Sequence, residues 1–233
     1  MNCSTAQGCQ DWSSSDKHHP IDMDRLDRYI SEHSTPQGEA LAWIECQTNI
    51  RTNHARMLSG AVQGRFLTML VEMIRPASIL EIGTFTGYSA VCLASGLGEG
   101  GHLDTLEIND ELEDLILEGF SRACLSDKIS LHVGDAKETL AGLKGRLYDL
   151  VYIDANKREY CEYYGLVFDM VRPGGFILAD NVLWDGKVCQ DPLPQDRQTV
   201  GIAGFNDMVM ADPRVESVIL PVRDGLNIIR KKD

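Results

Sequence analysis

Apolar positions follow two rhythms along this chain. Between Val62 and Ile74 they recur at helical spacing (Phe66, Leu67, Leu70, Val71, Ile74), and Pro76 ends the run. Beyond it, short apolar runs alternate with helical stretches. The pattern predicts strands at Ile79–Ile82, Leu103–Glu107, Ile129–Val133, Leu150–Ile153 and Phe176–Ala179, and helices over 86–97, 109–124, 136–143 and 159–171. Such alternation implies a parallel sheet covered by helices on both faces. Val215–Leu220 and Leu226–Arg230, joined through Pro221 to Gly225, predict a closing hairpin whose last strand runs antiparallel to the rest.

Ahead of the sheet, Ile21, Leu26, Tyr29 and Ile30 suggest a short amphipathic helix. Thr35-Pro36 then opens a second helix through Leu41 and Ile44 to about Thr52, with Pro36 in the first turn. These helices are expected as an accessory layer or against a partner. Residues 1–20, rich in Ser, Gln and Asp, read as a disordered tail, and 21–233 as one domain.

Composition narrows the classes. With 43% hydrophobic residues, 233 residues suffice for one good core. A formal net charge of −13 argues against a general nucleic-acid or anionic-membrane binder. No apolar run is long enough to span a bilayer, and the N-terminal stretch has no hydrophobic signal core. Seven cysteines without a C-x-x-C pair read as reduced thiols, which suggests the cytoplasm. Cys92, Cys124 and Cys161 are expected as small core residues.

The chemistry gathers where strands end. Glu81-Ile82-Gly83 closes the first strand, and a helix restarts near Thr86 to Ser89, so backbone N–H groups can approach a ligand. The glycines at Gly83 and Gly87 do not match the dinucleotide fingerprint. Glu107 ends the second strand, where a carboxylate can accept from both hydroxyls of a ribose. Together, E-x-G-x-x-x-G and a second-strand acid look like the cofactor site of class I S-adenosylmethionine-dependent methyltransferases. Gly134-Asp135-Ala136, Asp154-Ala155-Asn156-Lys157 and Asp180-Asn181 follow the next three strands. A lone Asp at a strand end is commonly a helix cap, but five polar strand ends on one rim make a site.

Asp154, Asp180 and Asn181 supply two carboxylates and an amide oxygen, hard donors suited to Mg²⁺, Mn²⁺ or Ca²⁺. Paired carboxylates also serve glycosidases, but the adjoining Asn181 favours a metal. Lys157 reads either as a surface lysine or, beside a divalent cation, as an amine whose proton is easily lost.

From about Met57 to Lys231 the chain resembles the cation-dependent O-methyltransferases, the group of caffeoyl-coenzyme A, catechol and related bacterial enzymes. The resemblance is carried by Gln63-Gly64-Arg65-Phe66-Leu67, by Glu81 to Ser89, Gly134-Asp135-Ala136 and Ile153 to Lys157, and by Pro173-Gly174-Gly175. It continues through Asp180 to Val188, Phe205-Asn206, Asp212 to Val215 and Pro221 to Lys231. It implies a Rossmann-like α/β fold with a mostly parallel seven-stranded sheet. It also implies a cofactor pocket lined by Ser59, Glu81, Gly83, Ser89, Glu107, Asp135, Ala136 and Asp154, a metal held by Asp154, Asp180 and Asn181, and Lys157 as base.

Met57, Trp184 and Asp185 would border the substrate, an aromatic vicinal diol, and the chain would form a homodimer whose N-terminal helices help close the acceptor site. Asn156 stands where the family often has Asp, Asp185 where plant members often have Asn. Val188 to Val200 reads as a variable flap or a plain surface loop. Two other functions fit the same fold: methylation of a hydroxylated uridine in tRNA, and a non-catalytic nucleotide-binding sensor. The intact metal triad and Lys157 speak against the sensor, and the acidity against tRNA.

Overall fold

The computed structural model describes residues 22–233; the N-terminal tail lies outside them. The chain divides into a short unit ending at Ser34 and a body from Thr35 to Asp233. In the first unit, helix α1 (Met23–Glu32) is N-capped by Asp22, whose side chain accepts from the Asp24 and Arg25 N–H groups. Tyr29 stacks on His33 one turn later.

The body is a seven-stranded sheet: β1 (Ser78–Ile82), β2 (His102–Glu107), β3 (Ile129–Val133), β4 (Tyr148–Ile153), β5 (Val171–Asp180), β6 (Val215–Leu220) and β7 (Leu226–Lys231). Their order is β3-β2-β1-β4-β5-β7-β6, and β7 alone runs opposite in direction to the other six. The order reverses between β1 and β4, opening the crevice where doubly wound sheets bind ligands.

Alternate residues of each buried strand face opposite layers. Leu80, Ile82, Val151 and Ile153 pack with α6 (Ala136–Gly142), α7 (Tyr160–Phe168) and α8 (Arg197–Ala211). Ile79, Leu103, Leu150 and Tyr152 pack with α2 (Glu39–Arg51), α3 (Gly60–Ile74), α4 (Tyr88–Ser95) and α5 (Glu113–Arg122). The accessory helix α2 belongs to this second layer: Ile44 is fully buried, and Thr48 donates to Thr86 Oγ1 at 2.8 Å.

The structure departs from the sequence pattern in four places. Helix α2 begins at Glu39 behind Gly38, so Pro36 precedes it rather than opening its first turn. Strand β5 begins five residues early, and its register with β4 shifts between Tyr148 and Leu150 to absorb Arg172 to Gly175. Cys92 is buried, but Cys124 is exposed just beyond α5, in a left-handed conformation. The end of the expected flap is the start of α8, capped by Asp196 through the Thr199 N–H. No helix among the described residues is long and apolar enough to cross a membrane.

Candidate active site

Strand register builds the site. Ile82 pairs with Leu106 on one side and Ile153 on the other, so Gly83, Glu107 and Asp154 leave the sheet at one level. Ile153 pairs with Ala179, which sets Asp154 beside Asp180. A cavity of about 740 Å³ opens above these ends. Of the residues proposed from sequence, Met57, Ser59, Gly83, Ser89, Glu107, Asp135, Ala136, Asp154, Lys157, Asp180, Asn181, Trp184 and Asp185 all line it.

Glu81 does not line it. It is fully buried one layer below, pairs with Thr105 across β1 and β2, and accepts from that hydroxyl at 2.5 Å. Among the described residues its Oε1 has no hydrogen-bond partner. Burial pushes its carboxyl up to about 7, against the pull of Ser89 and Thr105.

On the β1–β3 side, backbone does most of the shaping. Gly83 has φ 102°, and a Cβ there would run into the Asp154 carbonyl, so only glycine lets β1 and β4 turn this close together. Glu107 Oε2 accepts from Phe85 N–H at 2.6 Å and Oε1 from Asn109 N–H at 2.9 Å. Each oxygen keeps a lone pair for a ligand hydroxyl. Burial raises the Glu107 carboxyl despite these bonds. Asp135 is both a cavity residue and the cap of α6, accepting from Lys137 N–H at 2.8 Å.

On the β4–β5 side, side chains carry the charge. Lys157 Nζ donates to Asp154 Oδ1 at 2.6 Å and to the Tyr160 hydroxyl at 2.7 Å. Tyr160 is fully buried and donates to the carbonyls of Ile153 and Asp180, tying the ends of β4 and β5 together beneath the lysine. Burial raises the Asp154 carboxyl, Lys157 pulls it back, and the Asp180 charge raises it again. Asp180 Oδ1 accepts from the Asn181 N–H, and its Oδ2 from Gln63 Nε2 at 2.6 Å and the Tyr152 hydroxyl at 2.9 Å.

The connection after β5 stores strain at one edge of the cavity. Asn181, Trp184 and Asp185 have φ of 58°, 49° and 53°, left-handed conformations that cost non-glycine residues about 1–3 kcal/mol each. Asp224 Oδ1 restrains them by accepting from the Asp185 N–H at 2.6 Å. Helix α8 reaches the same region through Gly201, whose missing Cβ leaves room for the Lys157 carbonyl, 2.7 Å from where that carbon would be.

Pattern reading missed Tyr160, Tyr152 and Gln63 beneath the site and Arg56, Arg223 and Asp224 in its wall. Tyr160 carried a usable signal, since it lies three residues from Lys157 and so on the same face of a helical turn. Arg223 carried none, because its partners Leu58 and Ser59 lie in a distant part of the chain.

A parallel sheet of this order, with a glycine turn after the first strand and an acid after the second, defines a class I methyltransferase fold. An O-methyltransferase family profile matches residues 31–232, and the chain belongs to that family. It is 33% identical to a caffeoyl-CoA O-methyltransferase of Eucalyptus gunnii over 222 residues, 91% of this chain and 89% of the relative. A Podospora anserina methyltransferase solved with S-adenosylhomocysteine superposes with a TM-score of 0.83 at 30% identity, covering 92% of this chain and 98% of the other. A Bacillus cereus O-methyltransferase, also holding S-adenosylhomocysteine, gives 0.80 at 30% identity, with 89% and 97% covered. The protein is a S-adenosylmethionine-dependent O-methyltransferase, and a small-molecule acceptor is consistent with these relatives.

Proposed function

We propose that the enzyme methylates one hydroxyl of an aromatic vicinal diol, using a divalent cation held by Asp154, Asp180 and Asn181, with Lys157 as the base. The observation that carries this reading is the register of β4 on β5, with Asp154 beside Asp180 and Lys157 Nζ 2.6 Å from Asp154.

The donor set suits a hard cation such as Mg²⁺ or Mn²⁺. Asp180 is buried and Asp154 half-buried beside it, two carboxylates with a single lysine among the described residues, Lys157, paired to Asp154. Among the described residues no three His, Cys, Asp or Glu side chains form a metal cage, and on this reading the third protein donor would be the Asn181 amide. Asp154 Oδ2 and the Asn181 amide carry no hydrogen bond among the described residues, and Asp180 Oδ1 keeps one lone pair. The cation, when bound, would lower the pKa of a chelated hydroxyl and orient the diol. S-adenosylmethionine, when bound, supplies an electrophilic sulfonium methyl and leaves as the neutral thioether.

The chain's own residues do the rest. Glu107, with Phe85 and Asn109 behind it, would accept from ribose hydroxyls. Lys157, buried and braced by Tyr160, would take the acceptor's proton as the neutral amine, after releasing its own proton to solvent once Asp154 is engaged elsewhere. Trp184 and Met57 would flank the aromatic ring. Asp185 and Asp224 share the wall with Arg56 and Arg223, so its charge is mixed and leaves coenzyme A esters among the acceptors to be tested. A homodimer and a cytoplasmic location complete the reading; the latter accords with the free state of Cys46, Cys92, Cys124, Cys161 and Cys189.

The test is turnover with S-adenosylmethionine and Mg²⁺ on catechols, flavonoids, caffeoyl esters and unmodified tRNA, before and after EDTA. A catechol-type acceptor should be methylated, EDTA should abolish turnover, and Mg²⁺ or Mn²⁺ should restore it. Full activity with metal shown absent overturns the cation.

A further inference from the structure

Gln63 lies in the first turns of α3, is 1% exposed and nonetheless polar. Both ends of its amide face charge. Nε2 donates to Asp180 Oδ2 at 2.6 Å, and Oε1 accepts from Arg223 Nη1 at 3.4 Å. The amide's orientation follows from chemistry: an ionised carboxylate only accepts and a guanidinium only donates, so the NH₂ faces Asp180. Arg223 is anchored in turn, since the same Nη1 donates to the carbonyls of Leu58, at 2.6 Å, and Ser59, in the lead-in to α3. The turn between β6 and β7 is thereby clamped to the start of the helix that carries Gln63.

The effect on Asp180 is specific. Its Oδ2 takes two donors, Gln63 Nε2 and the Tyr152 hydroxyl, which spends both in-plane lone pairs. Among the described residues its Oδ1 takes only the Asn181 N–H, which leaves one lone pair. The carboxylate is therefore locked in rotation and offers a single oxygen on the Asn181 side. A buried link that merely joined α3 to β5 would have no reason to saturate one oxygen and leave the other open.

We propose that Gln63, oriented by Arg223 and assisted by Tyr152, is a positioning residue for the divalent cation: it occupies Oδ2 of Asp180 so that only Oδ1 is presented as a ligand. This rests on the reading that Asp154, Asp180 and Asn181 hold the cation. Groups that orient ligating carboxylates typically change metal affinity about 10–100-fold when removed.

The test is calorimetric titration of Mn²⁺, and of Mg²⁺, into the full chain saturated with S-adenosylhomocysteine. It compares wild type, Gln63→Met, Tyr152→Phe and Asp180→Ala, with S-adenosylhomocysteine affinity and thermal melting recorded beside it. Gln63→Met keeps volume and removes the donor; Tyr152→Phe removes the second donor independently. Each should weaken Mn²⁺ binding roughly tenfold or more while leaving S-adenosylhomocysteine affinity unchanged, and Asp180→Ala should abolish metal binding. A purely structural Gln63 would lower the melting temperature and leave metal affinity alone. Wild-type Mn²⁺ affinity in the two donor variants, with Asp180→Ala metal-free, overturns the proposal and leaves the cation site standing. Should Gln63→Met fail to fold, unchanged affinity in Tyr152→Phe alone overturns it. A wild-type protein that binds neither metal overturns both.

Discussion

The two halves of the cavity are made from different materials. Above β1 to β3 the carboxylates that face the cavity are fixed by main chain: the Phe85 and Asn109 N–H groups hold Glu107, the Lys137 N–H at the start of α6 holds Asp135, and the Gly83 turn lies beside them. Beyond β4 and β5 the walls are charged side chains held in pairs, Lys157 with Asp154 and Asp180 with Gln63 and Tyr152. Main-chain donors are fixed by the fold and carry no net charge, which suits a ligand bound the same way in every turnover. Side-chain charge can be redistributed when a proton moves, which suits chemistry. On the proposed reading the β1–β3 side would hold the cofactor and the β4–β5 side the acceptor; the cofactor half should then be sensitive to backbone geometry, and the acceptor half to loss of single functional groups.

Lys157→Ala tests the acceptor half most severely. Loss of a base costs about 10²–10⁴-fold in kcat, whereas an ordinary surface substitution is worth within about 0.5 kcal/mol. The loss should appear in kcat at pH 7 with cofactor affinity unchanged, and it should shrink as pH rises and the acceptor ionises unaided. Lys157→Arg should fail as well, since a guanidinium does not give up its proton at these pH values. Wild-type kcat in Lys157→Ala at pH 7, on a catechol shown to be turned over, removes the base from the mechanism.

Gly83→Ala tests the cofactor half. The new Cβ meets the Asp154 carbonyl, a backbone group that cannot swing aside, at a φ of 102°. Overpacking of this kind costs about 1–3 kcal/mol, and the backbone conformation adds to it. Stability in urea and S-adenosylhomocysteine affinity should fall together. If affinity holds while stability drops, the turn is structural only and the contrast between the halves fails.

The same contrast sets how far the site could be read in advance. The strand ends that carry Gly83, Glu107, Asp135, Asp154 and Asp180 were legible because a strand's apolar run stops abruptly at its polar rim. Helix α8 was not, because Gly201 and Gly204 interrupt it, and only Ile202, Phe205 and Val209 mark its buried face. Gly201 is there to clear the Lys157 carbonyl, so the residue that obscured the helix is the one that docks it on the site. The early start of β5 was hidden by Pro173 and Gly174, residues that ordinarily interrupt a strand. Gln63 and Arg223 were invisible for another reason: a buried amide and a turn arginine acquire meaning only when two distant segments meet.

Glu81 gives the smallest effect and the finest test, because by composition it belongs to the cofactor half and by position to the core beneath. Burial raises its carboxyl from an ordinary 4.5 to about 7, with Ser89 and Thr105 pulling the other way and the Asp154 and Glu107 charges adding to the rise. The sign follows from proton linkage: the folded state holds this proton more tightly than the unfolded one. Stability from this group is full below about pH 4.5 and falls as pH climbs to about 7. Glu81→Gln replaces the titrating group with a neutral amide of the same shape. Urea midpoints of the two proteins, measured from pH 5 to pH 8, should diverge in favour of the variant up to about pH 7 and keep a constant gap above it, and S-adenosylhomocysteine affinity should stay the same. Parallel midpoint curves would mean that the folded carboxylate ionises as freely as the unfolded one. A simultaneous loss of affinity would then assign Glu81 to the ligand rather than to the core.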